Sequence, residues 1–213
     1  MSDQLVWPWL GLLGLGVFHG INPGMGWLFA VALGMQERKR SAVWAALVPL
    51  ALGHGLAIGA AVAVAVIAGV AIPAPILKCP VAATLAGLGA WRLIRHRHFS
   101  GGGMRVGMLG LTAWSFLMAS CHGAGLMVLP ILLGMTPSSA HAAHDHAMAV
   151  GPDAITGVAA TTAHMVGYLA VTALIAVVVF EKFGLTLLRR MWVNLDLVWA
   201  VALIGTAAVT VWI

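Results

Sequence analysis

Charged residues are scarce in this chain, and their scarcity argues against a soluble globular fold. Lys, Arg, Asp and Glu make up 8% of the 213 residues, against roughly a quarter in a typical soluble domain. Hydrophobic residues make up 62% and the mean hydropathy is +1.01. So few charges cannot cover a water-facing surface, which predicts an integral membrane protein. The net charge of +5 is then interpreted as a cytoplasmic loop bias rather than as nucleic-acid binding.

Several chemical motifs are also missing. The sequence has no Gly-rich phosphate loop, no CxxC and no paired carboxylates, so we expect no enzymatic activity. The two cysteines, Cys79 and Cys121, are expected to form no disulfide. No Lys or Arg precedes Arg38, and the first apolar stretch is too long for a signal-peptide core, so no cleavable signal is expected.

Six apolar stretches are long enough to be membrane helices, which need about 20 residues each. They run from about Leu5 to Leu33, Ala42 to Val70, Ile76 to Ile94, Val106 to Leu133, Ala154 to Phe180 and Met191 to Ile213. The alternating pattern of a membrane barrel is absent from the sequence. The predicted fold class is therefore an all-α integral membrane bundle of six spans.

Loop charges give the predicted orientation. Basic residues concentrate in every second loop, at Arg38 to Arg40, Arg92 to Arg105 and Lys182 to Arg190. The positive-inside rule places these loops in the cytoplasm. We therefore expect a multi-pass protein of a bacterial-type inner membrane, with both termini on the outer side.

The two halves of the chain resemble each other. Span one contains FHGINPGMGWLFAVALGM and span four contains CHGAGLMVLPILLGM, while spans two and five each carry one central histidine. An odd number of spans per unit inverts the second unit relative to the first. We therefore predict two inverted three-helix repeats, residues 1–100 and 101–213, an architecture that recurs in transporters.

Four histidines fall within predicted spans, namely His19, His54, His122 and His164. Ionisable side chains inside a bilayer usually face the bundle interior or a cavity, although a single one can simply bond a neighbouring helix. Neutral imidazole binds Ni, Co, Cu and Zn ions. Because a histidine must be neutral to bind a metal, we expect binding to be lost in acid.

The first histidine lies beside further potential ligands. His19 and Asn22 are three residues apart and share a helical face. Pro23 cannot donate to the carbonyl of His19, so this carbonyl is expected to be unoccupied. An imidazole nitrogen, an amide oxygen and a carbonyl could then converge on a cation, although a plain proline kink gives the same pattern.

Other candidate ligands are secondary. Met118 shares a face with His122, and Cys121 adjoins it, so sulfur could favour a softer ion, although both residues also suit simple packing. The loop 136–153, predicted to lie outside, could collect metal through His141, His144, Asp145 and His146. Asp196, near the start of span six, either lines the inner mouth of a pathway or pairs with a basic loop residue.

The segment HGINPG, followed by a basic loop and by ALGHGLA, resembles the NicO-type nickel/cobalt transporters, small membrane proteins grouped with LysE-like exporters. The resemblance covers the first hundred residues best. It matches His19 to Gly24, His54 and the histidine-bearing stretch Arg95 to His98, but Met25 stands where the family has a second histidine.

These observations and the resemblance together predict a transporter of a divalent transition-metal ion, nickel- or cobalt-like, with Ni, Co, Cu or Zn as substrate and no organic cofactor. The expected partners are the metal ion and the lipid bilayer, without nucleic acid, and a homo-oligomer is allowed. Two alternatives remain open from the sequence. One is a membrane protein that holds a bis-histidine haem for electron transfer, and the other is a scaffold whose histidines only pack.

Overall fold

A computed structural model describes residues 3–71, 74–94, 107–135, 154–183 and 195–212 of the chain. Within these ranges it consists of eight α-helices and contains no strand, so the all-helical prediction is confirmed there. The helices are α1 (Asp3–Ile21), α2 (Trp27–Glu37), α3 (Arg40–Ala71), α4 (Ala74–Ile94), α5 (Met108–Cys121), α6 (Ala124–Gly134), α7 (Ala154–Val178) and α8 (Leu195–Trp212). A 3-10 turn (Pro23–Met25) separates α1 from α2, and a π-helical turn (Val179–Phe183) follows α7.

Two helices are long and apolar enough to cross a membrane. They correspond to Arg40–Ala68 and Ala154–Lys182, each 29 residues long with a mean hydropathy of 2.2. Helices α5 and α6 together make a third candidate, bent by 57° at the break between them. Val6–Ile21 and Ala200–Trp212 are shorter apolar helices. Two or three spans are therefore supported by length and composition within the described ranges.

The first predicted span is not one continuous helix, and the local chemistry explains the break. Pro23 has no amide hydrogen to continue the hydrogen-bond ladder. The side chain of Asn22 caps the 3-10 turn, and Gly26 adopts a φ of 146° that strongly favours glycine. The fourth predicted span breaks likewise at His122 and Gly123, where Gly123 has a φ of 70°.

Large apolar side chains are exposed along the long helices while the histidines are buried, which is the reverse of a soluble protein. On α3 and α7 the exposed side chains include Ile67, 72% exposed, and Ile155, 79% exposed. His54 and His164, on the same two helices, are fully buried. This distribution matches a protein whose surroundings are hydrocarbon.

Glycines set the close helix crossings. Helix α1 packs mainly on α7, α3 on α5 and α4 on α8. A Cβ on Gly16 would collide with the backbone of His164, and one on Gly20 would lie 2.7 Å from the carbonyl oxygen of Tyr168. Because higher residue numbers on α1 meet higher numbers on α7, these two helices run parallel. Gly53 has the same role between α3 and α5, against the backbone of Thr112.

One ion pair shows which helix ends lie together. Arg40 Nη1, at the start of α3, lies 3.1 Å from Glu181 Oε1, just after α7. Both side chains are exposed, so the pair adds little stability. It does place the start of α3 beside the end of α7, so these helices are antiparallel. We call this side, which carries Arg38 to Arg40, Glu181 and Lys182, the basic end.

Candidate functional site

All four histidines predicted as ligands are buried. His19 lies in the last turn of α1, His54 within α3, His164 within α7 and His122 at the break between α5 and α6. His19, His54 and His164 are fully buried, and His122 is 6% exposed. The buried positions fit the prediction that these side chains face the bundle interior.

Three of these side chains meet in one group, which we call the histidine cluster: His19, His54 and His164. The ring centroids of His19 and His164 are 5.0 Å apart, and both other pairs are 5.6 Å apart. The Nε2 atoms of His54 and His164 approach to 3.4 Å. Residues from three helices therefore converge, with two ring nitrogens facing each other.

His19 and His122 each form a hydrogen bond within their own helix, and this bond fixes which ring nitrogen carries the hydrogen. His19 Nδ1 lies 2.7 Å from the carbonyl oxygen of Leu15. His122 Nδ1 lies 2.7 Å from that of Met118, also four residues earlier. A carbonyl can only accept, so Nδ1 carries the hydrogen in both rings. In the neutral form Nε2 is then the nitrogen with the lone pair, as a metal ligand requires.

The ring of Tyr168 stacks on the face of the His54 ring. The two rings are stacked with centroids 3.9 Å apart and an interplanar angle of 6°. The buried Tyr168 hydroxyl donates to the carbonyl oxygen of Met25 at 2.7 Å. In a continuous helix that carbonyl would accept from Phe29, whose amide bonds to Gly26 instead. Tyr168 thus provides a hydrogen bond to the Met25 carbonyl, which the helix break leaves without its usual amide donor.

Sequence reasoning missed this tyrosine as a site residue. Two signals could have indicated it. Tyr168 is the single tyrosine of the chain, and it lies four residues after His164, so both side chains share one face of α7.

The prediction that the carbonyl of His19 is unoccupied is wrong. Its oxygen accepts from the amide of Asn22 at 3.2 Å, because the 3-10 turn tightens the chain where Pro23 cannot donate. The Asn22 Oδ1 atom also accepts, from the amide of Gly24 at 2.8 Å. Both oxygens that the sequence suggested as ligands therefore serve the turn.

The sulfur side chains of span four do not share the environment of His122. Cys121 is exposed, whereas the next residue is buried, because consecutive helical residues point in different directions. Met118 is partly buried among apolar residues. Neither Cys79 nor Cys121 forms a disulfide.

Most of the other predicted site residues lie outside the described ranges. His141, His144, Asp145 and His146 lie outside the described residues, as do His96 and His98. Asp196 belongs to the first turn of α8. The predicted metal collector in the loop 136–153 therefore stays a prediction.

Within the part of the chain that the structure describes, no group of three or more His, Cys, Asp or Glu side chains is arranged to hold a metal ion. Three grooves of about 440, 360 and 510 Å³ open between the helices, and none of the three is lined by a histidine. The histidine cluster is thus enclosed rather than placed on a groove.

No protein-family model, curated protein or solved structure matches this chain.

Proposed function

We propose that the protein is a transmembrane transporter of a divalent transition-metal ion, nickel- or cobalt-like, and that its buried histidines are the ligands. His19, His54 and His164 provide the core of the site. In the proposed repeat, His122 of the second half corresponds to His19 of the first half. The metal ion is the substrate.

The observation that carries this proposal is the distance between two ring nitrogens. Imidazole nitrogens bind Zn²⁺ at about 2.0–2.1 Å, so two of them on one tetrahedral ion lie about 3.3 Å apart. The 3.4 Å between the Nε2 atoms of His54 and His164 is close to that value. A modest rotation of His19, whose ring is 5.0 Å from that of His164, would bring a third nitrogen to the ion.

The inverted repeat is part of the same proposal. In the proposed repeat α1 corresponds to α5, and α3 corresponds to α7. The packing of α1 on α7 then corresponds to the packing of α5 on α3, and these are two of the three main helix pairs. Both halves break a helix close to a His-Gly dipeptide. Both breaks follow a histidine whose Nδ1 bonds four residues back. Six spans built from two such units place the ligands at the interface between repeats, as in many transporters.

The proposed orientation has both termini outside and the basic end in the cytoplasm of an inner membrane. The Arg40–Glu181 contact supports it, because the segments after the first and fifth predicted spans then lie on one side. That placement is what the charge pattern requires.

The contact distances favour a metal ion over the haem alternative. A haem between two histidines needs a slot for its flat macrocycle, whereas these rings lie in mutual contact and His54 is also covered by Tyr168. A haem could enter only by separating α3 from α7.

The test is metal analysis of protein purified without a His-tag. We expect the protein to bind nickel or cobalt when dialysed against either ion, and the His54→Ala/His164→Ala double variant to bind neither. Thr162→Ala, which removes an exposed hydroxyl on α7, is the control and should bind as the parent does. Equal metal content in the double variant and the parent would show that these histidines only pack.

A further inference from the structure

Four buried hydroxyl and amide side chains lie on one side of the histidine cluster, whereas the buried hydroxyl of Thr210 in α8 is satisfied by the carbonyl of Thr206. Asn22, Ser115, Tyr168 and Thr172 are each at most 4% exposed, and we call them the polar layer. On α7, Tyr168 and Thr172 follow His164 in the direction of Glu181. Asn22 follows His19 in the parallel helix α1. The polar layer therefore lies between the histidine cluster and the basic end.

Alignment of the two halves on their histidines shows that the other side is apolar. Thr172 and Tyr168 stand eight and four residues after His164. The residues at these distances after His54 are Val62 and Ile58, which are also buried. Ser115 stands seven residues before His122, and the corresponding residue before His19 is Leu12.

The hydroxyl of Thr172 does not form the hydrogen bond to its own helix that six other threonines form. Six threonine hydroxyls donate to the carbonyl four residues earlier, the usual arrangement for a helical threonine: Thr84, Thr112, Thr161, Thr162, Thr206 and Thr210. Thr172 Oγ1 is fully buried, and among the described residues no hydrogen bond of ordinary distance and angle satisfies it. It lies near the Tyr168 hydroxyl, so it faces the polar layer.

The polar layer also contains a second unsatisfied group. Asn22 Nδ2 is buried and has no hydrogen-bond partner among the described residues. Unpaired polar groups in an apolar interior are costly, and buried water commonly satisfies them. Two such groups within one layer of the bundle, together with the hydroxyls of Ser115 and Tyr168, provide the several polar partners that a buried water needs.

Apolar packing closes the bundle on both sides of the histidine cluster, and the two sides differ in what lies between that packing and the histidines. At the basic end an apolar group formed by Trp27, Val43, Leu47 and Val179 closes the bundle beyond the polar layer. On the opposite side Leu12, Ile58 and Val62 belong to a continuous apolar core that begins next to the histidines. Among the described residues, a route from the basic end crosses one apolar group and then the polar layer, whereas a route from the opposite side meets apolar side chains as far as the histidines.

We propose that the polar layer holds water and that the histidine cluster is reached from the basic end through this layer, while the opposite side of the cluster stays sealed. The inference depends on the proposed function for the identity of the ion that takes this route. The route itself is tested without any metal.

The test compares cysteines at matched positions. In a background with Cys79→Ala and Cys121→Ala, Thr172→Cys is compared with Ile58→Cys, a fully buried position one helical turn before Val62, which itself lines a groove. Ser115→Cys is compared with Leu12→Cys. Each variant is treated with a membrane-impermeant thiol reagent in right-side-out and in inside-out vesicles. Glu181→Cys marks the vesicle type that presents the basic end, and the amount of inserted protein is measured for each variant.

We expect the polar-layer cysteines to react from the Glu181 side about tenfold faster or more than their apolar partners from either side, because access through an apolar core requires local opening. Equal rates within the matched pairs, reaction from the opposite side, or no reaction of Thr172→Cys and Ser115→Cys would overturn the proposal. If one substitution prevents insertion, the labelling rates of the other matched pair test the proposal. Because the labelling contains no metal, its failure would leave metal binding by the histidines to be judged separately.

Discussion

The Nε2 atoms of His54 and His164 lie 3.4 Å apart, although 110 residues separate the two histidines in the chain. They come from the two long antiparallel helices, α3 and α7. Their rings are almost parallel, with an interplanar angle of 10°. Two buried histidines therefore face each other where α3 crosses α7, and the first prediction concerns what happens when one of the proposed ligands is removed.

We expect His19→Ala and His54→Ala each to abolish metal transport while nearly unchanged amounts of protein insert into the membrane. Each change removes one ligand of a site with few ligands, whereas the apolar surface that drives insertion is untouched. Metal uptake or efflux by cells, normalised to inserted protein, measures the effect. Parental transport rates in both variants would contradict the proposed function and favour the scaffold alternative.

Tyr168→Phe should lower stability without removing the aromatic contact with His54. The change leaves the buried carbonyl of Met25 without its 2.7 Å partner, at a cost of about 1–3 kcal/mol. Thermal unfolding of the purified protein in detergent measures it. Thr162→Ala is the control, since its hydroxyl is exposed. An unchanged melting temperature in Tyr168→Phe would mean that the hydroxyl does not stabilise the helix break.

Alanine at the close crossing of α1 and α7 should be destabilising. Cβ atoms at Gly16 and Gly167 would meet backbone atoms of the facing helix, and overpacking typically costs about 1–3 kcal/mol. Gly14→Ala and Gly59→Ala are matched controls, because nothing lies within 4 Å of a Cβ at either position. The controls should be neutral or more stable by up to about 1 kcal/mol, since alanine favours helix. Similar unfolding temperatures for all four variants would contradict the close packing.

Reporter fusions test the orientation. We expect a reporter joined after Ile213 to be active only outside the cytoplasm, and one inserted after Lys39 to be active only inside, because basic loops are retained in the cytoplasm. A cytoplasmic signal from the Ile213 fusion would exclude the proposed topology and, with it, the inverted arrangement of the two halves.

Replacing His141, His144 and His146 together should weaken metal capture at low metal concentration and leave insertion intact. The prediction follows from the polar composition of this loop and the metal affinity of closely spaced imidazoles. Transport measured across a range of metal concentrations would show the loss only at the low end. Loss of inserted protein in the triple variant would instead identify the loop as structural.

The long helices were predictable from the sequence alone because hydropathy is a local property. The stretches Ala42–Val70 and Ala154–Phe180 closely match α3 and α7, and the scarcity of charge already indicated a membrane protein. The burial of all four histidines was also predictable, since an ionisable side chain is too costly to leave facing hydrocarbon.

The helix breaks and the make-up of the histidine cluster were decided by tertiary structure. Pro23 marked a kink in the sequence, but the hydrogen bond from Asn22 to the His19 carbonyl depends on the 3-10 turn that actually forms. The contact of His54 with both His164 and Tyr168 depends on where α3 and α7 cross. That crossing is set by packing between residues far apart in the chain, in part through glycines that let α1 approach α7, and no local pattern encodes such distances.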